Sequence, residues 1–145
     1  MREILFRGKR VDNGEWVYGN LLHRRIWGND VFIIRVEDNG FDSYIEYGVL
    51  PETVGQYTGI TDKNGTKIFE GDIVHYVYEP GKGFWNANQN SVIEWKGTGF
   101  YLNGIEGTNK YALLTGWLVS IPHGNGKTFE VIGNIHDSQD RPDGE

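Results

Sequence analysis

Cysteine is absent from the 145 residues of this chain, proline occurs four times and methionine once. Without thiols there is no disulfide framework, no thiolate nucleophile and no cysteine-ligated zinc, which suits a reducing compartment. Long apolar runs are missing too. The opening MREILFRGKR sets charges among its apolar residues, so it makes neither a signal peptide nor a membrane span. These absences lead us to expect a cytoplasmic protein without a membrane partner. Helical periodicity is scarce, and the formal net charge of −6 favours solubility and disfavours wholesale binding of a polyanion.

What the chain has in quantity is turn chemistry. Among its 21 glycines, five follow asparagine, at Asn13, Asn39, Asn64, Asn103 and Asn125. Asn-Gly tolerates the positive φ of the tight turns whose twist matches paired strands. Short runs rich in β-branched and aromatic residues lie between these turns, so the pattern reads as a mostly β protein, a barrel or sandwich of short strands and tight hairpins. Residues 4–10 and 15–22 flank Asp12-Asn13-Gly14 as a first hairpin, in which Gly8 and Gly19 mark bulges or close backbone approaches. Residues 31–36 form a β-branched strand, and residues 43–50 a further strand or an irregular connection. Residues 73–78 read as a strand packed on both faces. Residues 91–96 and 99–103 pair across Gly97, with Ile93, Trp95, Phe100 and Leu102 inward. Residues 110–121, KYALLTGWLVSI, mix helical and strand spacing, and we expect a short helical turn at 111–114 followed by a strand. Residues 129–135 close the fold.

The densest turn signals lie in residues 54–74, VGQYTGITDKNGTKIFEGDIV. Asn64-Gly65 sets a hairpin there, and Glu70-Gly71-Asp72 turns the chain into the next strand, with Gly71 supplying backbone freedom and Asp72 an acceptor for nearby amides. This stretch, with MREILFRGKRVDNGEWVYGNLL at the start and FEVIGNIHDS near the end, resembles the YopX family of small phage and prophage proteins. The resemblance covers both ends and the middle of the chain, and is weak over residues 24–48 and 80–127. It implies a mostly β fold with an SH3-like barrel in the later part and an N-terminal β subdomain. Accordingly we expect one domain over residues 1–137, made of an N-terminal β subdomain at 1–58 and a barrel portion at 59–137, with a flexible tail at 138–145. It implies no known reaction and no cofactor, and it places the protein in the cytoplasm of a bacterial host.

Catalytic and metal-binding patterns fare poorly. Glu70 and Asp72 could hold a divalent cation only with further ligands, and the turn already accounts for both. His23, His75, His123 and His136 have no partner at metal-ligand spacing. Gly126-Lys127-Thr128 nearly completes a phosphate loop, but Ile121 stands where its first glycine is required and no helix follows. We therefore expect no enzyme and no metal.

Binding is the better prospect. Aromatic residues make up 14% of the chain, and Phe84-Trp85 sit in a Pro-, Gly- and Asn-rich loop, where aromatic anchors serve protein partners. An unidentified phage or host protein is the expected partner. Charge is uneven: in residues 1–35 seven cations face four carboxylates, leaving +3 there and −9 elsewhere. Arg7, Lys9, Arg10, Trp16 and Tyr18 on the first hairpin thus form the alternative site, for nucleic acid, where aromatics stack bases and cations track phosphate. Exposed sheet edges leave self-association open as well.

Overall fold

The computed structural model describes residues 2–25, 30–38, 42–76, 89–97, 99–104, 111–113 and 129–137. The chain is mostly β, with antiparallel sheets and no α-helix among the described residues. It divides into two compact units, Met1–Tyr57 and Thr58–Glu145.

In the first unit the strands are β1 (Phe6–Lys9), β2 (Trp16–Arg24), β3 (Asp30–Asp38), β4 (Asp42–Gly48) and the start of β5 (Gly55–Thr61), in the order β4-β3-β2-β1-β5. The β1–β2 hairpin turns as its Asn-Gly signal requires: Gly14 has φ +74°, and the side-chain oxygen of Asn13 accepts the Glu15 amide at 2.9 Å. Strand alternation places Phe6, Val17, Ile33 and Val49 on the inner face, where Val17, Ile33 and Val49 form the core with Val31, Tyr47 and Val54 packed around them. Gly8 and Gly19 are close approaches, as the sequence suggests. A Cβ on Gly8 would stand 3.0 Å from the Val49 side chain, and one on Gly19 would collide with the carbonyl oxygen of Ile34.

Past β4 the chain curls back on the end of β1. The Val11 amide donates to Gly48 and the Leu50 amide to Lys9. A single 3-10 turn, Pro51–Thr53, follows. Its buried Thr53 hydroxyl donates to the Leu50 carbonyl and accepts the Lys9 amide, fastening the turn to β1.

The second unit holds β6 (Lys67–Phe69), β7 (Asp72–Tyr76), β8 (Gln89–Lys96), β9 (Gly99–Gly104), β10 (Tyr111–Leu113) and β11 (Phe129–Asn134), with the later part of β5 running beside β6. Its main sheet has the order β10-β9-β8-β7-β11. Among the described residues this sheet is open, and no closed SH3-like barrel is found. Ile68, Val74, Ile93, Leu102 and Phe129 make its core, with Ile60, Phe100 and Val131 against them.

Two expectations for this unit are corrected. Tyr111–Leu113 is a strand rather than a helical turn, because its backbone pairs with Tyr101 to Asn103 of β9; that partner outweighs the local helical spacing. Trp95 is on the same face as Ile93 but is exposed, lying past the core beside the turn of the β8–β9 hairpin and edge-on to Phe100, with ring centroids 5.1 Å apart.

Candidate interaction surfaces

The residues expected to shape turns do so. Asn64 and Gly65 lie at the tip between β5 and β6, and Gly65 has φ +83°. Gly71 has φ +91°, donates its amide to Ile93 and accepts the Ile135 amide, so this turn links β8 to the end of β11. Asp72 is buried and accepts the Phe69 amide at 2.7 Å. Its carboxylate is thereby part of the turn, and Glu70 stands on the same turn.

Asp62 organises the tip and was not singled out by sequence reasoning. Only 5% exposed, it accepts the amides of Asn64 and Thr66 on one oxygen, at 2.8 and 2.9 Å, and that of Val131 on the other, at 3.0 Å. Burial pushes its carboxyl up, but the Val131, Thr66 and Asn64 amides and nearby Lys63 outweigh burial and hold it below the ordinary carboxylate range. Asp two residues before Asn-Gly is a turn-forming signal; the bond to Val131, 69 positions away, has no local signature.

The hairpin gathers Arg7, Lys9, Trp16 and Tyr18 on one face but sets Arg10 on the other, beside Val49 and Tyr47, and its charges are largely engaged. Register places Arg7 opposite Tyr18 and Lys9 opposite Trp16 on the outer face. Arg7 is only 5% exposed, and its guanidinium lies 4.5 Å from the centroid of the Trp16 ring. The Lys9 ammonium is 5.5 Å from the same ring. Arg10 pairs with Asp12 at 2.6 Å and lies over Tyr47. The hydrogen bond from Arg10 holds the Asp12 carboxyl below its usual range. Stacked on Trp16, Arg7 and Lys9 each stabilise the hairpin by about 0.5–2 kcal/mol. Tyr18 is exposed. Phe84 and Trp85 lie outside the described residues.

A different surface stands out on the β3–β4 hairpin. Val36 and Tyr44 face one another across the strands and are 74% and 59% exposed. On the same outer face Arg24 donates to Glu46 at 2.8 Å and lies over the Phe32 ring at 4.9 Å. Further along, Gly48 carries no side chain, leaving a groove of about 400 Å³ lined by Val11, Asp30, Phe32, Gly48, Val49 and Pro51, with Val31 beneath. The β-branched run from Val31 to Val36 announces the strand but not which of its faces is solvated, so the sequence alone does not single out Val36 or Tyr44. Among the described residues no three His, Asp or Glu side chains gather as a metal site; His75 bonds Asn90 at 2.8 Å instead.

A family profile described as "YopX protein" matches residues 5–141. The crystal structure of protein EF1440 from Enterococcus faecalis is similar over 97% of this chain and 98% of that one, with a TM-score of 0.54 and 21% sequence identity. That likeness supports the fold alone. A search of curated proteins gives no match.

Proposed function

This chain belongs to the YopX family, and we propose that it is an accessory protein of phage or prophage that works without catalysis, by holding a protein partner in the host cytoplasm. The observation that carries this reading is the exposed Val36–Tyr44 pair on the outer face of β3 and β4. Directly opposed apolar side chains left in water on an antiparallel ladder lose little by meeting a partner and gain its burial, roughly 25 cal/mol for each Å² covered. Tyrosine is also among the residues that dominate interfaces. Phe84 and Trp85 are proposed, on sequence grounds, as a second contact, and an SH3-like barrel in the later part as the scaffold that carries them. No helix among the described residues is long and apolar enough to cross a membrane.

The nucleic-acid reading is the weaker one. Phosphate contacts need solvated cations, whereas Arg7 is buried against Trp16 and Arg10 is held by Asp12. The test is retention of proteins on the tagged full chain from host cells during phage induction, with nuclease treatment in parallel. A specific protein that survives nuclease is expected; recovery abolished by nuclease would move the nucleic-acid reading to first place.

A further inference from the structure

Among the described residues β11 ends its sheet, yet its outward backbone is occupied. The Phe129 carbonyl accepts the Lys63 amide at 3.0 Å, and the Val131 amide donates to Oδ2 of Asp62 at 3.0 Å. Backbone groups alternate sides along a strand, so both bonds lie on the side of β11 turned away from β7. An added antiparallel strand would engage these same two groups, offering an amide to one and a carbonyl to the other. The β5–β6 tip supplies the amide from its own backbone and replaces the carbonyl with the Asp62 carboxylate. The tip is itself held shut, because the Gly65 amide donates to the Asp62 carbonyl at 3.1 Å and the Asp62 amide to the Thr66 carbonyl at 2.8 Å. Beyond Val131 the register with β7 shifts before Gly133, and such a bulge blunts the rest of the edge.

What the tip excludes follows from the edge it covers. The segment FEVIGN has neither proline nor lysine to discourage pairing. It is also self-complementary. When two copies pair antiparallel about Glu130, the Val131 amide of each copy meets the Phe129 carbonyl of the other, so the two groups now engaged by the tip satisfy one another across the pair. The carboxylates at position 130 then stand opposite each other, a like-charge arrangement that opposes the pairing. In the folded chain the Glu130 carboxylate lies instead 3.4 Å from the Lys63 ammonium.

We infer that the Asp62–Lys63 tip is a strap that seals the β11 edge against a second copy of this chain, and that releasing it lets two copies join β11 to β11. The strap works through its backbone amide and the Asp62 carboxylate. The exposed Lys63–Glu130 ion pair adds little.

The absence of cysteine makes the test direct. Glu130→Cys installs a single thiol and removes the opposed carboxylates. In the pairing described, the residues at position 130 form a directly opposite, non-hydrogen-bonded pair with Cα atoms about 4.5 Å apart, within the span of a disulfide. The rate of disulfide-dimer formation in oxidised glutathione is compared among full chains that differ at the tip. Proline suits the second position of the turn that Asp62 and Gly65 close, so Lys63→Pro keeps the turn and removes the amide donor. Lys63→Ala keeps that donor and removes only the ammonium. Dimers are expected at least tenfold faster with Lys63→Pro than with the wild-type tip, and at the wild-type rate with Lys63→Ala. Asp62→Asn weakens the other bond and should also speed the reaction, which keeps the test open if the proline variant fails to fold. Lys96→Cys, in place of Glu130→Cys, puts the thiol at an exposed position of β8 and reads random encounter and unfolding, so its rate should not depend on the tip. Equal rates at position 130 with every tip, or acceleration by Lys63→Ala equal to that by Lys63→Pro, would overturn the proposal. Acceleration at position 96 matching that at position 130 in both Lys63→Pro and Asp62→Asn would overturn it as well.

Discussion

Replacing Asp62 with asparagine should destabilise the second unit far more than a turn substitution ordinarily does. In the native protein its carboxylate accepts three backbone amides and is almost fully buried. Asparagine offers one acceptor oxygen and a donor NH2 group, so the new donor must face either the Val131 amide or those of Asn64 and Thr66. A hydrogen bond to a charged acceptor contributes about 1.5–3 kcal/mol, and a donor left facing a donor costs about 1–3 kcal/mol. Asn64 and Thr66 are exposed and can turn to water, so their share is smaller. We expect a net loss of about 2–3 kcal/mol, which for a chain of this size is a fall in melting temperature of about 4–12 °C. Thermal and urea unfolding of the full chain followed by circular dichroism would read it. The pH dependence gives a second check. Because the folded carboxyl lies below its ordinary value, its stabilisation is fully present above the unfolded value of about 4 and is lost as pH falls through the lower folded value. The gap between wild type and Asp62→Asn should therefore shrink at acid pH. A variant within about 0.5 kcal/mol of wild type at pH 7, a typical surface effect, would refute the reasoning.

Gly19→Ala should disrupt the β2–β3 ladder, since its Cβ meets the Ile34 carbonyl oxygen, whereas Gly14→Ala meets open space and is strained only by its positive φ; denaturant midpoints should fall much further for the first. Gly71→Ala combines a positive φ with a Cβ 3.2 Å from Nε2 of His136, and should cost about 1–3 kcal/mol in the same assay. Arg10→Gln removes the hydrogen bond that depresses Asp12, so the Asp12 carboxyl should titrate at higher pH by NMR; an unchanged titration would contradict the assigned cause. Alanine at both Phe84 and Trp85 should leave the melting temperature unchanged and weaken retention of the partner.

Legibility in the sequence followed the range of the interactions. The Asn13-Gly14 and Asn64-Gly65 turns and the entry of Asp72 into β7 were readable, because positive φ and side-chain-to-amide bonds are local chemistry. Gly8 and Gly19 were readable as close approaches, although the residues they approach were not. The strand at Tyr111–Leu113 was misread because pairing with β9, a tertiary event, decides it. The basic and aromatic residues Arg7, Lys9, Arg10, Trp16 and Tyr18 were legible as a cluster on the first hairpin, yet nothing in their spacing announces that Arg7 is buried against Trp16. For Asp62 the decisive partner is Val131, far along the chain. The exposed pair of Val36 and Tyr44 depends on which face of β3 covers the core, and parity alone leaves that choice open.

The central claim, that this protein holds a protein partner through the β3–β4 surface, is tested most directly by photocrosslinking in living cells. The full chain would carry photoactivatable benzoylphenylalanine in place of Tyr44, or, as the control, in place of exposed Lys63 in the other unit. The account predicts a discrete protein adduct from position 44 in induced host cells, unchanged by nuclease and absent from position 63. No adduct at position 44, or the same adducts from both positions, would contradict it.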